Sequence, residues 1–371
     1  MTNRNPLQEL NAHGQSVWLD NLSRPLIEDG DLGRLIEQDG ISGITSNPAI
    51  FAAAIAGSDA YDDQIRRLSN GDDDNIALYE ALAIDDIRAA ADLLRPIFER
   101  TAGTDGYVSL EVNPHLARDT EGTLAEAERL WRAVDRKNVL IKIPGNPEGV
   151  PAIEEALYRG ININVTLLFA LEAYERVMQA HLRSLERRLA DGLPLDGIFS
   201  VASFFLSRID SMVDKQLDAL DGERAAKAAA LRGQAAVASA KCAYRRWQEN
   251  YSGPRWEKLA EAGAHVQKPL WASTSTKDPF YPDTKYVEPL VGRQTVNTMP
   301  EATLEAFRDH GRVVPDSIAQ GVEEAAQVPA RLAGLGVELD KVTAALVEQG
   351  IAKFEQPFDA LLKNLEDKRG G

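Results

Sequence analysis

The sequence predicts an α/β fold of the (β/α)8 TIM-barrel type, with extra helices and a helical C-terminal extension. Three observations predict it. Eight short β-rich runs alternate with long helical patterns, which is how parallel strands joined by crossover helices read in sequence. Polar and charged residues gather at the C-terminal ends of those runs, where barrel enzymes place their chemistry. At 371 residues with 44% hydrophobic content, the chain can bury a core of that size. No repeat, low-complexity tract or linker interrupts it, so residues 1–371 are expected to form a single domain.

Taken in order, "SVWLD" ends at Asp20 and "SGITSN" at Asn47. "YVSLEV" covers 107–112, "NVLIKIP" 138–144 and "ININVTLLF" 161–169. "GIFSVAS" covers 197–203, "KPLWAST" 268–274 and "RQTVNTM" 293–299. Between them, "LAEAERLWRAV" from Leu124 and the long pattern from Ala170 to Gly192 carry the 3.6-residue period of amphipathic helices. The connection after the second run predicts two helices joined at the acidic turn Gly71 to Asp74. The alanine-rich stretch "ERAAKAAALRGQAAVASAKCAYRRWQENY" predicts one long surface helix. Three or more further helices are expected after Pro300.

Composition narrows the partners. Acidic residues outnumber basic ones by 57 to 41, and a net charge of −16 argues against nucleic acid and anionic membrane surfaces. A phosphate-bearing ligand would need a local cationic cluster. The single cysteine, Cys242, excludes an internal disulfide and fits a reducing compartment. No signal-type segment and no 18-residue apolar run occurs, so a soluble cytoplasmic protein is expected. The histidines are dispersed without metal-ligand spacing, and no glycine-rich nucleotide fingerprint follows a strand. Neither a metal site nor a cofactor is therefore expected.

The strand ends supply Asp20, Thr45 with Asn47, Glu111, Lys142, Asn164 with Thr166, Ser203, and Ser273 with Thr274. Taken singly, Asp20 also reads as a loop residue or helix cap, and Ser203 as an N-cap. Glu111 and Lys142 are harder to dismiss, because each interrupts apolar strand residues where an uncompensated charge costs several kcal/mol. One reading is a buried Glu–Lys ion pair with no further role. The other is an amine that desolvation keeps neutral, hence a nucleophile toward a carbonyl carbon. Glu111 and Asp20 are then carboxylates on different strands, suited to separate acid and base duties. Arg208, one turn beyond Ser203 at a helix start, can bind an anion or pair with Asp210. Lys277, with the hydroxyls of "STSTKD", offers a second cation.

"GITSNPAIF", "VSLEVNP", "VLIKIPGNPEG", "NINVTLLF", "SVASFFLSRID" and "PLWASTSTKDP" follow one another in the order and on the strands of a known family. The chain resembles the transaldolases, specifically the longer bacterial type, from about Ser16 to the C-terminal helices. The resemblance implies transfer of dihydroxyacetone from a ketose phosphate to an aldose phosphate through a lysine Schiff base, in the pentose phosphate pathway. By motif match it implies Lys142 as the Schiff-base lysine and Asp20 as the acid/base at the breaking bond. Glu111 and Thr166 would orient a catalytic water. It implies further that Asn47 and Asn164 hold substrate hydroxyls, that Ser203 and Arg208 bind phosphate, and that Phe205 forms an apolar wall. Thr45 and Ser273 are expected to line the substrate site. Shorter members carry a second arginine where this chain has Ser275, so Lys277 is expected to supply that charge. The expected partners are small-molecule sugar phosphates, with the chain acting as a homodimer or monomer. A fructose 6-phosphate aldolase and a non-catalytic sugar-phosphate-binding barrel are the alternatives.

Overall fold

The structure is a computed structural model that describes residues 4–69 and 74–370. Among those residues eight parallel strands close into a barrel. They are β1 (Gln15–Leu19), β2 (Gly43–Ile44), β3 (Tyr107–Glu111), β4 (Val139–Pro144), β5 (Ile163–Leu168), β6 (Ser200–Phe205), β7 (Gln267–Ala272) and β8 (Thr295–Met299). Each strand pairs with its neighbours in chain order, and β8 closes on β1. All eight β-rich runs are strands, and the expected (β/α)8 barrel is the fold observed.

The strands are buried on both faces, by helices outside and by packed side chains within, which is why their sequences run apolar instead of alternating. β4 is the clearest case: Val139, Leu140, Ile141 and Ile143 are all fully buried, and Lys142 alone breaks the run. Register fixes what surrounds it. Glu111 on β3 and Asn164 on β5 are the direct partners of Lys142, so three polar side chains share one level near the C-terminal ends.

The helices expected at Leu124 and Ala170 span Thr120–Val134 and Leu171–Ala190. The long connection after β2 holds helices Asp62–Leu68 and Asn75–Arg100. Of the acidic turn expected between them, Gly71 to Asp73 lie outside the described residues, while the Asp74 carboxylate caps the second helix at the Ala77 N–H. The alanine-rich stretch departs from expectation. It forms two helices, Gly222–Ala229 and Ala235–Asn250, broken at Gly233, whose φ of +65° suits glycine and whose N–H donates to Asp214. The second of them is not a surface helix. Ala235, Ala236, Ala240, Cys242 and Ala243 are buried, because small side chains let a helix approach its neighbours closely.

After β8 come Glu301–His310, Val322–Ala333 and the 32-residue helix Leu339–Gly370. In this C-terminal helix Phe354, Phe358, Leu361 and Leu365 are buried at helical spacing, each worth roughly 2 kcal/mol in removed apolar surface. That stripe packs on Tyr79, whose ring meets Phe358 edge-on at 5.4 Å. Lys368 ties the far end to Asp62 at 2.7 Å. No helix among the described residues is long and apolar enough to cross a membrane.

Candidate active site

Lys142 is 4% exposed, and its ammonium has two acceptors: the Ser46 carbonyl at 3.0 Å and Glu111 Oε2 at 3.2 Å. The Phe354 ring centroid stands 5.2 Å from the same nitrogen. The pair with Glu111 is thus real, but it is not closed off. Lys142 lines a cavity of about 190 Å3 together with Asp20, Thr45, Asn47, Ser203 and Phe205, and with Arg208, Ser273 and Lys277. A purely structural ion pair would gain nothing from opening onto a polar space.

Each carboxyl is tuned by burial. Burial pushes the Glu111 carboxyl up to about 7, against the opposing pull of Lys142. Near neutral pH it can therefore both give and take a proton. Its Oε1, like the Thr166 hydroxyl, has no hydrogen-bond partner among the described residues. Burial also raises the Asp20 carboxyl above the usual carboxylate range, opposed by a 2.6 Å hydrogen bond from Thr45 and by Lys142, Arg208 and Lys277. Asp20 follows β1 directly and is not a helix cap, since Ser23 caps the next helix.

Several neighbours serve two purposes. Asn47 Oδ1 caps helix Pro48–Ala56 at the Ile50 N–H, 3.1 Å away, and the side chain still lines the cavity. Asn164 lies behind the cavity wall, donating to Ser109 Oγ at 3.0 Å and accepting from Ser203 Oγ at 2.7 Å. Ser203 is inside β6 and caps nothing, since the following helix starts at Ser207.

The cationic side is built by that helix and by the segment after β7. Arg208 has a buried Nη1 without a hydrogen-bond partner among the described residues, and its guanidinium sits 5.4 Å from the Phe205 ring. It does not pair with Asp210, which accepts from the Ala236 N–H at 2.8 Å and the Tyr286 hydroxyl at 2.9 Å. Asp214 likewise accepts from Tyr281 at 2.7 Å. These two aspartates pin the segment carrying Lys277 to the helix carrying Arg208, so the two cations face one space. Burial lowers the Lys277 ammonium, and Arg208 and Lys353 add to the effect. Cations held together in this way favour a polyanionic guest.

Five lining residues were not among the expected site residues: Ala272, Ser275, Thr298 on β8, Pro300 and Phe354. Thr298 was findable, being a polar residue at a strand end. Phe354 was not, because only the path of the C-terminal helix brings it to Lys142. Larger clefts of about 880 and 700 Å3 open at the N-terminal ends of the strands. There, Asp105 is occupied by Ser16 and Trp18, which donate to it at 2.6 and 2.9 Å.

Comparison with known proteins gives one family. The model described as transaldolase/fructose-6-phosphate aldolase matches residues 17–365. A transaldolase of Thiobacillus denitrificans is 50% identical over 361 residues, covering 97% of this chain and 99% of its own. A transaldolase of a Parafrankia species is 49% identical with 98% of both chains covered, and transaldolase 2 of a Nostoc species 45% identical over 98% and 97%.

Proposed function

The chain belongs to the transaldolase/fructose-6-phosphate aldolase family, and on that premise we propose a transaldolase that works through a Schiff base on Lys142. It is a transferase. Its donor is a ketose phosphate, sedoheptulose 7-phosphate or fructose 6-phosphate, and its acceptor an aldose phosphate, erythrose 4-phosphate or glyceraldehyde 3-phosphate. The observation that carries this reading is the buried Lys142 amine opening onto one small cavity with Asp20 at its side and two cations beyond.

In the proposed sequence the Lys142 amine adds to the ketone carbon, and loss of water gives a protonated imine. Glu111 and Thr166, with their unpartnered oxygens, orient the water of that step. Asp20 then takes the proton of the C4 hydroxyl while the C3–C4 bond breaks. The bonding electrons flow into the imine, leaving an enamine. The aldose phosphate departs and an acceptor aldehyde replaces it. Carbon–carbon bond formation returns the proton from Asp20, and hydrolysis frees Lys142. Arg208, Lys277 and Ser203 hold phosphate, while Asn47, Asn164, Thr45 and Ser273 hold hydroxyls or shape the site. The chain is taken to act as a monomer or a homodimer. The same reading puts the enzyme in the cytoplasm, in the pentose phosphate pathway.

With fructose 6-phosphate and erythrose 4-phosphate supplied together, sedoheptulose 7-phosphate is expected to form faster than free dihydroxyacetone. The reverse order would make the chain an aldolase of the same family. The apolar Phe205 at the cavity favours transfer, since it offers no hydroxyl to guide water to the imine.

Glu111 gives the pH dependence. Its carboxyl ionises near 7, so below that value it is mostly neutral and cannot take a proton from water. The rate constant kcat/KM is expected to fall about tenfold per pH unit below about 7. In Glu111→Gln that inflection should vanish and the residual rate be flat, a difference a pH–rate profile of both enzymes reads directly.

A further inference from the structure

Among the described residues a single hydrogen bond anchors the Glu111 carboxyl. Its Oε2 meets the Lys142 ammonium at 3.2 Å, while its Oε1 has no partner among them. Once Lys142 has condensed with a ketone, its nitrogen carries at most one proton, and the carboxyl loses most of that hold. A group that must stay aligned through the whole cycle needs a second anchor.

Behind Glu111 lies a different space. A narrow cavity of about 10 Å3, room for about one water, is lined by Glu111 and Tyr79, with Ala83, Leu130 and Phe358 among its apolar walls. It shares no lining residue with the cavity at Lys142. Tyr79 belongs to helix Asn75–Arg100, outside the strand ends that supply the catalytic groups. Its ring is held edge-on by Phe51 at 5.8 Å and Phe358 at 5.4 Å. Burial, with Glu111, Glu80 and Glu126 adding to it, raises the Tyr79 hydroxyl above its ordinary value, so the hydroxyl keeps its proton and acts as a donor. The two outer acids are already engaged. Arg129 holds both oxygens of Glu80, at 2.6 and 2.5 Å, and lies 3.5 Å from Glu126, whose Oε1 also accepts the Asn113 N–H at 2.6 Å. Of the three acids, Glu111 is the one with a buried oxygen that lacks a partner among the described residues. A water between that oxygen and Tyr79 satisfies both.

We propose that Tyr79 is a positioning residue for Glu111, holding the carboxyl through one water in this second cavity. The Tyr79 hydroxyl donates to the water and the water donates to Oε1, so the carboxylate keeps a donor when Lys142 turns to the substrate. The inference rests on the acid–base role of Glu111 within the Schiff-base reading. A donor to a carboxylate favours its ionised form, and removing the donor raises the pH at which the carboxyl ionises. The other ionisable groups that act on Glu111, Lys142 and Asp20, stay in place when Tyr79 or Ala83 is substituted.

The test is the pH dependence of kcat/KM. Tyr79→Phe keeps the ring and removes the donor. It is expected to move the inflection near 7 up by about one pH unit, with the rate about fivefold lower at pH 7 and close to that of the unsubstituted enzyme by about pH 9. Ala83→Val leaves the hydroxyl in place and fills the cavity with methyl groups, so it should move the inflection the same way, and it decides the matter if Tyr79→Phe does not fold. Added to Glu111→Gln, Tyr79→Phe should change nothing further, since the hydroxyl acts only through that carboxyl. An inflection that stays near 7 in either folded variant would overturn the inference. So would a rate loss equal at every pH, or the same loss repeated in Glu111→Gln, because either marks a structural role. An unsubstituted enzyme with no inflection near 7 would instead remove the reading of Glu111 beneath it.

Discussion

Replacing Lys142 with methionine is expected to lower turnover by about 10^4-fold or more, because a thioether forms no imine to take up the electrons of the breaking bond. Methionine nearly matches the volume of the lysine stem among Leu140, Ile141 and Ile143, so the barrel should survive the change. The loss of the cation leaves Glu111 buried without its partner, and burial then favours the neutral carboxylic acid, which costs little to hide. The variant should thus fold, shown by an unchanged circular dichroism spectrum, and yet neither cleave fructose 6-phosphate nor transfer its upper carbons. A folded variant that still turned over would remove Lys142 from the mechanism.

Asp20→Asn is expected to separate two steps that Lys142→Met abolishes together. Asparagine can still accept the hydrogen bond from Thr45, now 2.6 Å, so the local geometry has reason to persist. It cannot take the proton of the C4 hydroxyl. Carbon–carbon cleavage should fall by about 10^2- to 10^4-fold, the usual weight of a general base, while condensation of the ketone with Lys142 continues. Single-turnover measurement would then find a trapped adduct that retains all the donor's carbons. Wild-type cleavage in Asp20→Asn would mean that another group moves the proton, with Glu111 the next carboxylate in line.

Much of the barrel was legible because its signals are local. Strands buried on both faces read as apolar runs, and the amphipathic helices at Leu124 and Ala170 announce themselves by period. The candidate site was legible for the same reason. Asp20, Thr45, Glu111, Lys142 and Ser203 are polar residues at the ends of apolar strands, and strand register alone sets Glu111 and Asn164 beside Lys142. What stayed hidden depends on tertiary packing. The alanine-rich stretch looked like a surface helix because alanine favours helix anywhere, and only its packing revealed the break at Gly233 and the buried face of Ala235–Asn250. The Ser46 carbonyl that accepts from Lys142 is a backbone atom with no sequence signature. Phe354 belongs to an ordinary amphipathic pattern, and nothing in that pattern tells which barrel atom the helix will meet.

The central claim is that the Lys142 amine bonds covalently to the donor sugar. It is tested most directly by reducing the enzyme with borohydride in the presence of fructose 6-phosphate and locating the added mass by peptide mapping. The account predicts a stable adduct on Lys142 and on no other lysine. An unmodified Lys142, or an adduct carried by Lys277 or Lys353 instead, would contradict it.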